Sequence, residues 1–186
     1  MFHYIKILMF KKNCSFCKNK LTTTFLDLGK TPWANSFLER KNIKLPSYNL
    51  KTKVCNKCLL VQVNYCINPR KIFLNYAYKS GYSKTWRDHC EKYTKKIIKK
   101  IKLKKNSPIV EIASNDGSLL KKFNNKGYKN TLGIEPAKNL AAEANKFGIR
   151  TLSCFLNKKN VDLILKKTLK PQLIVANNVI AHIPDI

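Results

Sequence analysis

The sequence predicts an α/β fold: an incomplete, parallel, doubly wound sheet of Rossmann-like type, preceded by a small four-cysteine metal-binding module. Two observations carry that expectation. From Pro108 onward, short apolar runs alternate with amphipathic segments, the pattern of strands joined by crossover helices. Near the start, two Cys-x-x-Cys pairs stand at Cys14–Cys17 and Cys55–Cys58.

The sheet region reads in order. Ile109 to Ala113 is a buried-strand run, Asn115-Asp116-Gly117 a turn, and Ser118 to Asn125 a helix with Leu119, Leu120 and Phe123 on one face. Thr131 to Glu135 is a second strand, closed by Pro136. Ala137 to Phe147 is an alanine-rich helix stopped by Gly148. Ile149 to Leu152 is a short third strand, Val161 to Leu169 a helix, and Leu173 to Ala176 a fourth strand. Ahead of the sheet, Tyr93 to Lys105 sets Ile97, Ile98, Ile101 and Leu103 among lysines, an amphipathic helix with a solvated basic face. The domain plan is therefore an extension at 1–12, the cysteine module at 13–66, a linking region at 67–107 and the sheet at 108–186. The opening segment is apolar but short and has no small-residue cleavage site behind it, so it does not read as a signal peptide.

Two knuckles separated by the 37 residues between Cys17 and Cys55 suit one tetrahedral Zn2+ ion in a closed shell of four sulfurs, Cys14, Cys17, Cys55 and Cys58. A closed shell is structural, and it supports a module too small to be held by core burial alone. Cys66, Cys90 and Cys154 lack ligand spacing and read as small apolar core residues. Paired Cys-x-x-Cys without a secretory signal points to a reducing compartment, so a cytoplasmic location is expected.

The formal charge is +27, from 37 basic and 10 acidic residues. Such a balance invites a polyanion partner. However, only Arg40, Arg70, Arg87 and Arg150 are arginine, and phosphate or base-edge recognition leans on arginine forks. A lysine-rich solvated surface is the reading adopted, with a basic zinc module that binds nucleic acid as the alternative. A hydrophobic share of 44% excludes a disordered composition. No run of ~18 apolar residues occurs, so no membrane span is expected.

In a parallel sheet, ligands collect at the carboxyl ends of the strands, near the switch point. The first strand ends at Ser114-Asn115-Asp116-Gly117, and the second at Glu135, 18 residues after Gly117. A tight turn lets the backbone approach a nucleoside cofactor, and a carboxylate at the next strand end can accept both ribose hydroxyls. Glu135 has no evident packing reason to end an apolar strand. Asn177 and Asn178, after the fourth strand, can bond a cofactor or cap the strand.

With these pieces in order, the chain resembles the zinc-containing, S-adenosylmethionine-dependent sugar C-methyltransferases. Seven segments carry the likeness: Cys14-Ser15-Phe16-Cys17; Leu26-Asp27-Leu28-Gly29 with Pro32 and Asn35 to Leu38; Val54 to Gln62; Tyr76-Ala77-Tyr78 with Ser80 and Ser83; Glu111 to Gly117; Gly133-Ile134-Glu135-Pro136; and Asn177 to Pro184. The resemblance implies methylation of a carbon on a nucleotide-linked keto-sugar. It implies that Ser114, Asn115, Asp116, Gly117 and Glu135 line the S-adenosylmethionine site, with Asn177 nearby. It further implies that Tyr76, Tyr78 and His182 sit beside the sugar, where a Tyr or His assists proton removal next to the ketone. The resulting enolate attacks the sulfonium methyl in line. The family continues past the point matching Ile186, so the resemblance implies either a truncated remnant of such an enzyme or a chain that works with a second polypeptide supplying the remaining half; the nucleotide-sugar is the expected substrate partner. A catalytically inactive, methyltransferase-like partner subunit is the other alternative.

Overall fold

The computed structural model describes residues 8–32, 34, 37, 38, 40, 43–63 and 65–183, with segments 8–10 and 65–67 as backbone. Asn35, Ser36 and Pro184 of the segments above, and the Cys66 side chain, lie outside the described residues. The chain divides into two units. One runs up to Ile72 and takes in His182; the other is Phe73–Ala181.

The first unit is antiparallel. β1 (Leu8–Phe10) pairs with β5 (Tyr65–Ile67), so the segment read as an extension supplies a strand from residue 8 onward. β2 (Thr23–Thr31), β3 (Tyr48–Val54) and β4 (Val61–Val63) form a three-stranded sheet in that order. The sequence reading missed these strands because their hydrophobic pattern is weak. β2 is exposed along almost all its length and slips register twice against β3. Among the described residues of this unit, burial is confined to Cys14, Leu21 and Cys55, with Cys17, Cys58 and Leu60 packed around them. The core of this unit is its thiol cluster. α1 (Pro69–Phe73) spans the boundary between the units.

The second unit is a four-stranded parallel sheet in the order β8-β7-β6-β9. Its strands are β6 (Ile109–Ile112), β7 (Thr131–Ile134), β8 (Thr151–Leu152) and β9 (Leu173–Ala176). The chain winds outward from β6 through β7 to β8, then returns to place β9 on the other side of β6. That reversal creates the switch point expected of a doubly wound sheet. Every residue of β6 and β7 is buried, as a sheet covered on both faces requires. Ile109 packs with Leu119, Leu120 and Phe123 of α3 (Ser118–Asn125), while Val110 and Ile112 pack with Ile164 of α5 (Lys158–Lys167). α4 (Lys138–Lys146) buries Leu140, Ala141 and Ala144 and ends before Gly148, which takes φ 74.

Several boundaries differ from the sequence reading. The basic helix α2 runs Lys84–Lys100 instead of 93–105: the Ser83 hydroxyl accepts from the Trp86 N–H and starts it nine residues earlier. It stops short because Lys102 turns left-handed at φ 50, and Leu103 folds back into the core outside the helix. α5 begins three residues early, where the Asn157 side chain accepts from the Asn160 N–H. β8 keeps only Thr151 and Leu152 of the four residues expected. Among the described residues, no helix is long and apolar enough to cross a membrane.

Candidate functional site

The two cysteine knuckles converge. All four Sγ atoms lie within 4.8 Å of one another. Cys14 and Cys58 are 3.7 Å apart, and Cys17 and Cys55 3.4 Å. A tetrahedron of thiolates ~2.3 Å from a zinc ion has edges of ~3.8 Å, so the cluster is close to the size of the metal shell. Leu59 adopts φ 62 after the second knuckle and Lys18 φ 63 after the first, so the two turns have like geometry. Gln62 braces the first knuckle: its Oε1 accepts from Ser15 N–H at 2.9 Å, and its Nε2 donates to Cys14 Sγ at 3.1 Å. Burial works to raise the Cys14 thiol, but the N–H groups of Cys17 and Phe16 and the Gln62 amide outweigh it and bring it down to about 6. Cys58 gains from the Leu60 N–H, yet burial and the crowd of neighbouring thiols push it up to about 12.

The second site lies at the carboxyl ends of β6 and β7. Three positions in the turn are left-handed: Ala113 (φ 53), Asn115 (φ 52) and Gly117 (φ 76). Such backbone is costly for Ala and Asn and gathers at functional sites. Gly117 is required for a reason other than ligand access, since a Cβ there would stand 2.8 Å from Cγ2 of Ile149. Glu135 does have a packing role. Its Oε2 accepts from the Asn115 N–H and its Oε1 from the Ala137 N–H, each at 2.8 Å. The carboxylate thereby ties the first strand's turn to the start of the next helix, a partner 20 residues away that sequence periodicity does not reveal. Burial raises its pKa, against the pull of those two N–H groups. Ser114 is buried with its hydroxyl lacking a hydrogen-bond partner, and a Cβ on Gly133 would collide with that oxygen. Deeper in β6, Glu111 is buried, with Oε2 lacking a partner. Burial first, then the nearby Asp116 and Glu135, raise it well above the ordinary carboxylate range.

The tyrosine segment docks on this turn. Asn115 Oδ1 accepts from Ser80 N–H at 3.0 Å and from the Ser80 hydroxyl at 3.2 Å, and its Nδ2 donates to Tyr78 O at 3.1 Å. Asp116 Oδ2 accepts from Gly81 N–H at 2.8 Å, and Oδ1 from the Ser118 N–H and hydroxyl. At its other end, the segment meets α4. Leu74 O accepts from Lys138 N–H at 3.0 Å, and Asn139 exchanges two hydrogen bonds with Tyr76, at 3.1 and 2.8 Å. Lys79 pairs with Glu143 at 2.6 Å. Tyr76 and Tyr78 are thus brought together with Asn115, Asp116, Gly117 and Glu135 in one unit. Asn177 is half-buried just past β9, followed by Asn178 at φ 52. His182 closes a 3-10 turn, Ile180–His182, and groups with the cysteine unit. Sequence reasoning did not single out Asn139. It sits in the first turn of α4, where Asn commonly bonds backbone, but its partner lies 63 residues away.

Cys90 is buried in the core as read, and burial pushes its thiol up to about 12. Cys154 is only partly buried. His89 stacks between Trp86 and Tyr93 on α2 and takes no part in the thiol cluster.

A family model for a zinc binding domain, Methyltransf_13, matches residues 14–73. C-methyltransferase NovU of Streptomyces niveus is 27% identical over 175 residues, covering 93% of this chain. The chain spans 41% of that protein's length.

Proposed function

We propose that this member of the zinc-containing C-methyltransferase family holds S-adenosylmethionine at the carboxyl ends of β6 and β7 and methylates a carbon of a nucleotide-linked keto-sugar in the cytoplasm. The observation that carries the reading is the left-handed turn from Ala113 to Gly117 locked to the Glu135 carboxylate. The adenosyl group fits these residues. Glu135 presents a carboxylate with lone pairs left over from its two backbone contacts, and the Ser114 hydroxyl has no partner of its own. Asn177, past the end of β9, stands on the other side of the switch point. When bound, the cofactor supplies an electrophilic methyl group. The chain's own part is to orient it and to move a proton. In this reading Tyr76 or Tyr78 removes the proton from the carbon beside the ketone, and a neighbouring hydroxyl steadies the enolate oxygen. Zinc takes no chemical step, because four thiolates leave no open coordination position.

β9 has no strand on its outer side among the described residues, Ile174 there is 61% exposed, and Leu163 and Leu165 of α5 are exposed nearby in sequence. This edge suits further strands, from a second polypeptide or from more of the same protein. Calorimetric titration of the zinc-loaded chain with S-adenosylhomocysteine tests the reading. Binding is expected, with Glu135→Gln weakening it at least about tenfold through the lost charge and the disturbed turn. A folded, zinc-loaded sample that takes up no heat would refute the cofactor site. The +27 charge favours nucleic acid as a second reading; it requires an affinity for duplex DNA that falls steeply with salt.

A further inference from the structure

We propose that Asn139, Asn115 and Asp116 are positioning residues that hold Leu74–Gly81 as a strap over the carboxyl ends of β6 and β7, fixing where Tyr76 and Tyr78 stand. The inference rests on the methyltransferase reading for what the tyrosines do, but the strap stands on its own contacts. Its first anchor is α4. Lys138 donates to Leu74 O, and Asn139 both accepts from and donates to the Tyr76 backbone, the two-way pairing one strand would offer another. Its second anchor is the turn after β6. Asn115 takes the Tyr78 carbonyl and the Ser80 N–H, and Asp116 takes the Gly81 N–H. The two anchors lie at the starts of α4 and α3, the helices that follow β7 and β6. The strap between them crosses the ends of the two strands that would hold the cofactor.

The fit at the second anchor is close. A Cβ on Gly81 would stand 2.5 Å from Ser118 Oγ and 2.6 Å from Asp116 Oδ2, so any larger residue would have to push these two side chains aside. The Asn115 and Asp116 side chains are also committed to this task. The acceptors of both are met by the strap, by Ser118 and by the Asp116 N–H, so a cofactor at this turn meets backbone more than it meets these two side chains. Tyr76 is held at its backbone, so its ring takes its direction from the strap.

The test uses the zinc-loaded chain carrying 3-fluorotyrosine, with hydrogen exchange and fluorine spectra read together. Tyr76→Phe and Tyr78→Phe assign the two resonances. Asn139→Ala removes both bonds to Tyr76 and is expected to speed exchange in residues 74–81 about tenfold. The strands at 109–112 and 131–134 should stay as slow as before. Asn139→Asp keeps the acceptor for the Tyr76 N–H and should fall between. In the parent, S-adenosylhomocysteine shifts the Tyr76 or Tyr78 resonance. In Asn139→Ala it binds by calorimetry, but the tyrosine response collapses. Unchanged exchange and spectra in Asn139→Ala overturn the strap, and so does a rise that spreads through the sheet strands, which marks ordinary structural damage. Failure of S-adenosylhomocysteine to bind the parent counts against the cofactor reading alone, because the exchange result is read without ligand.

Discussion

Stripping the metal should unfold the cysteine unit and leave the parallel sheet standing. In the first unit, Leu21 is the one buried aliphatic side chain among the described residues, 7% exposed. A buried leucine is worth about 1.5–3 kcal/mol. A four-thiolate zinc site contributes about 10–16 kcal/mol near neutral pH, so the ion outweighs the aliphatic core several-fold. Strands β2 and β3, nine and seven residues long, then have little to hold them without it. The second unit buries Ile109, Leu119, Leu120, Phe123, Leu132, Ile134 and Leu140 and needs no metal. The assay is hydrogen exchange on the full chain before and after chelation, with released zinc counted by a colorimetric dye and free thiols by alkylation. One zinc per chain is expected, along with loss of protection at 23–31 and 48–54 and retained protection at 109–112 and 131–134. Binding should also release protons, including that of Cys58, whose thiol lies at about 12 before the metal arrives. A metal-free chain that keeps 23–31 and 48–54 protected would refute the reasoning, since the thiol cluster would then not be the core.

Three further outcomes follow from single side chains. Gln62→Ala removes the amide that donates to Cys14 and accepts from Ser15, and should weaken zinc binding about 10–100-fold in a chelator competition while leaving the stoichiometry at one. Gly117→Ala sets a Cβ at φ 76 and 2.8 Å from Ile149, and should destabilise the second unit by about 1–3 kcal/mol in urea titration. Glu111 has its folded-state pKa raised by burial. Between its ordinary value and the raised one, the native state therefore holds the proton more tightly than the unfolded chain, and stability falls as pH rises through that interval. Glu111→Gln should remove that slope, gaining stability over the parent at pH 8 and little at pH 4, as read from urea midpoints at the two pH values.

How much of this could be read from residues alone depends on range. The parallel sheet was legible because β6, β7 and β9 are short apolar runs whose neighbours are amphipathic helices, a signal contained within a dozen residues. The metal centre was legible because Cys-x-x-Cys spacing is itself the geometry of a knuckle. The cysteine unit's strands were not, because β2 exposes Phe25, Leu26 and Leu28 and has no buried face to mark its period. The start of α2 was hidden for another reason: the lysine-isoleucine stretch was loud, while the cap at Ser83 was a single hydroxyl. At the strand ends, the turn and Glu135 were visible as residue types, but their work was not. Glu135 bonds a backbone 20 residues away, and Asn139 one 63 residues away. Such pairings are set by topology and leave no local pattern.

The thiol cluster also bears on the order in which the molecule is assembled. All four ligands fall between residues 14 and 58, while the first strand of the parallel sheet begins at Ile109. A ribosome therefore finishes the metal site some fifty residues before it starts the sheet. The antiparallel unit can fold around its ion while the rest is still being made, and in a cell short of zinc the parallel sheet would still form while the first unit stays unfolded.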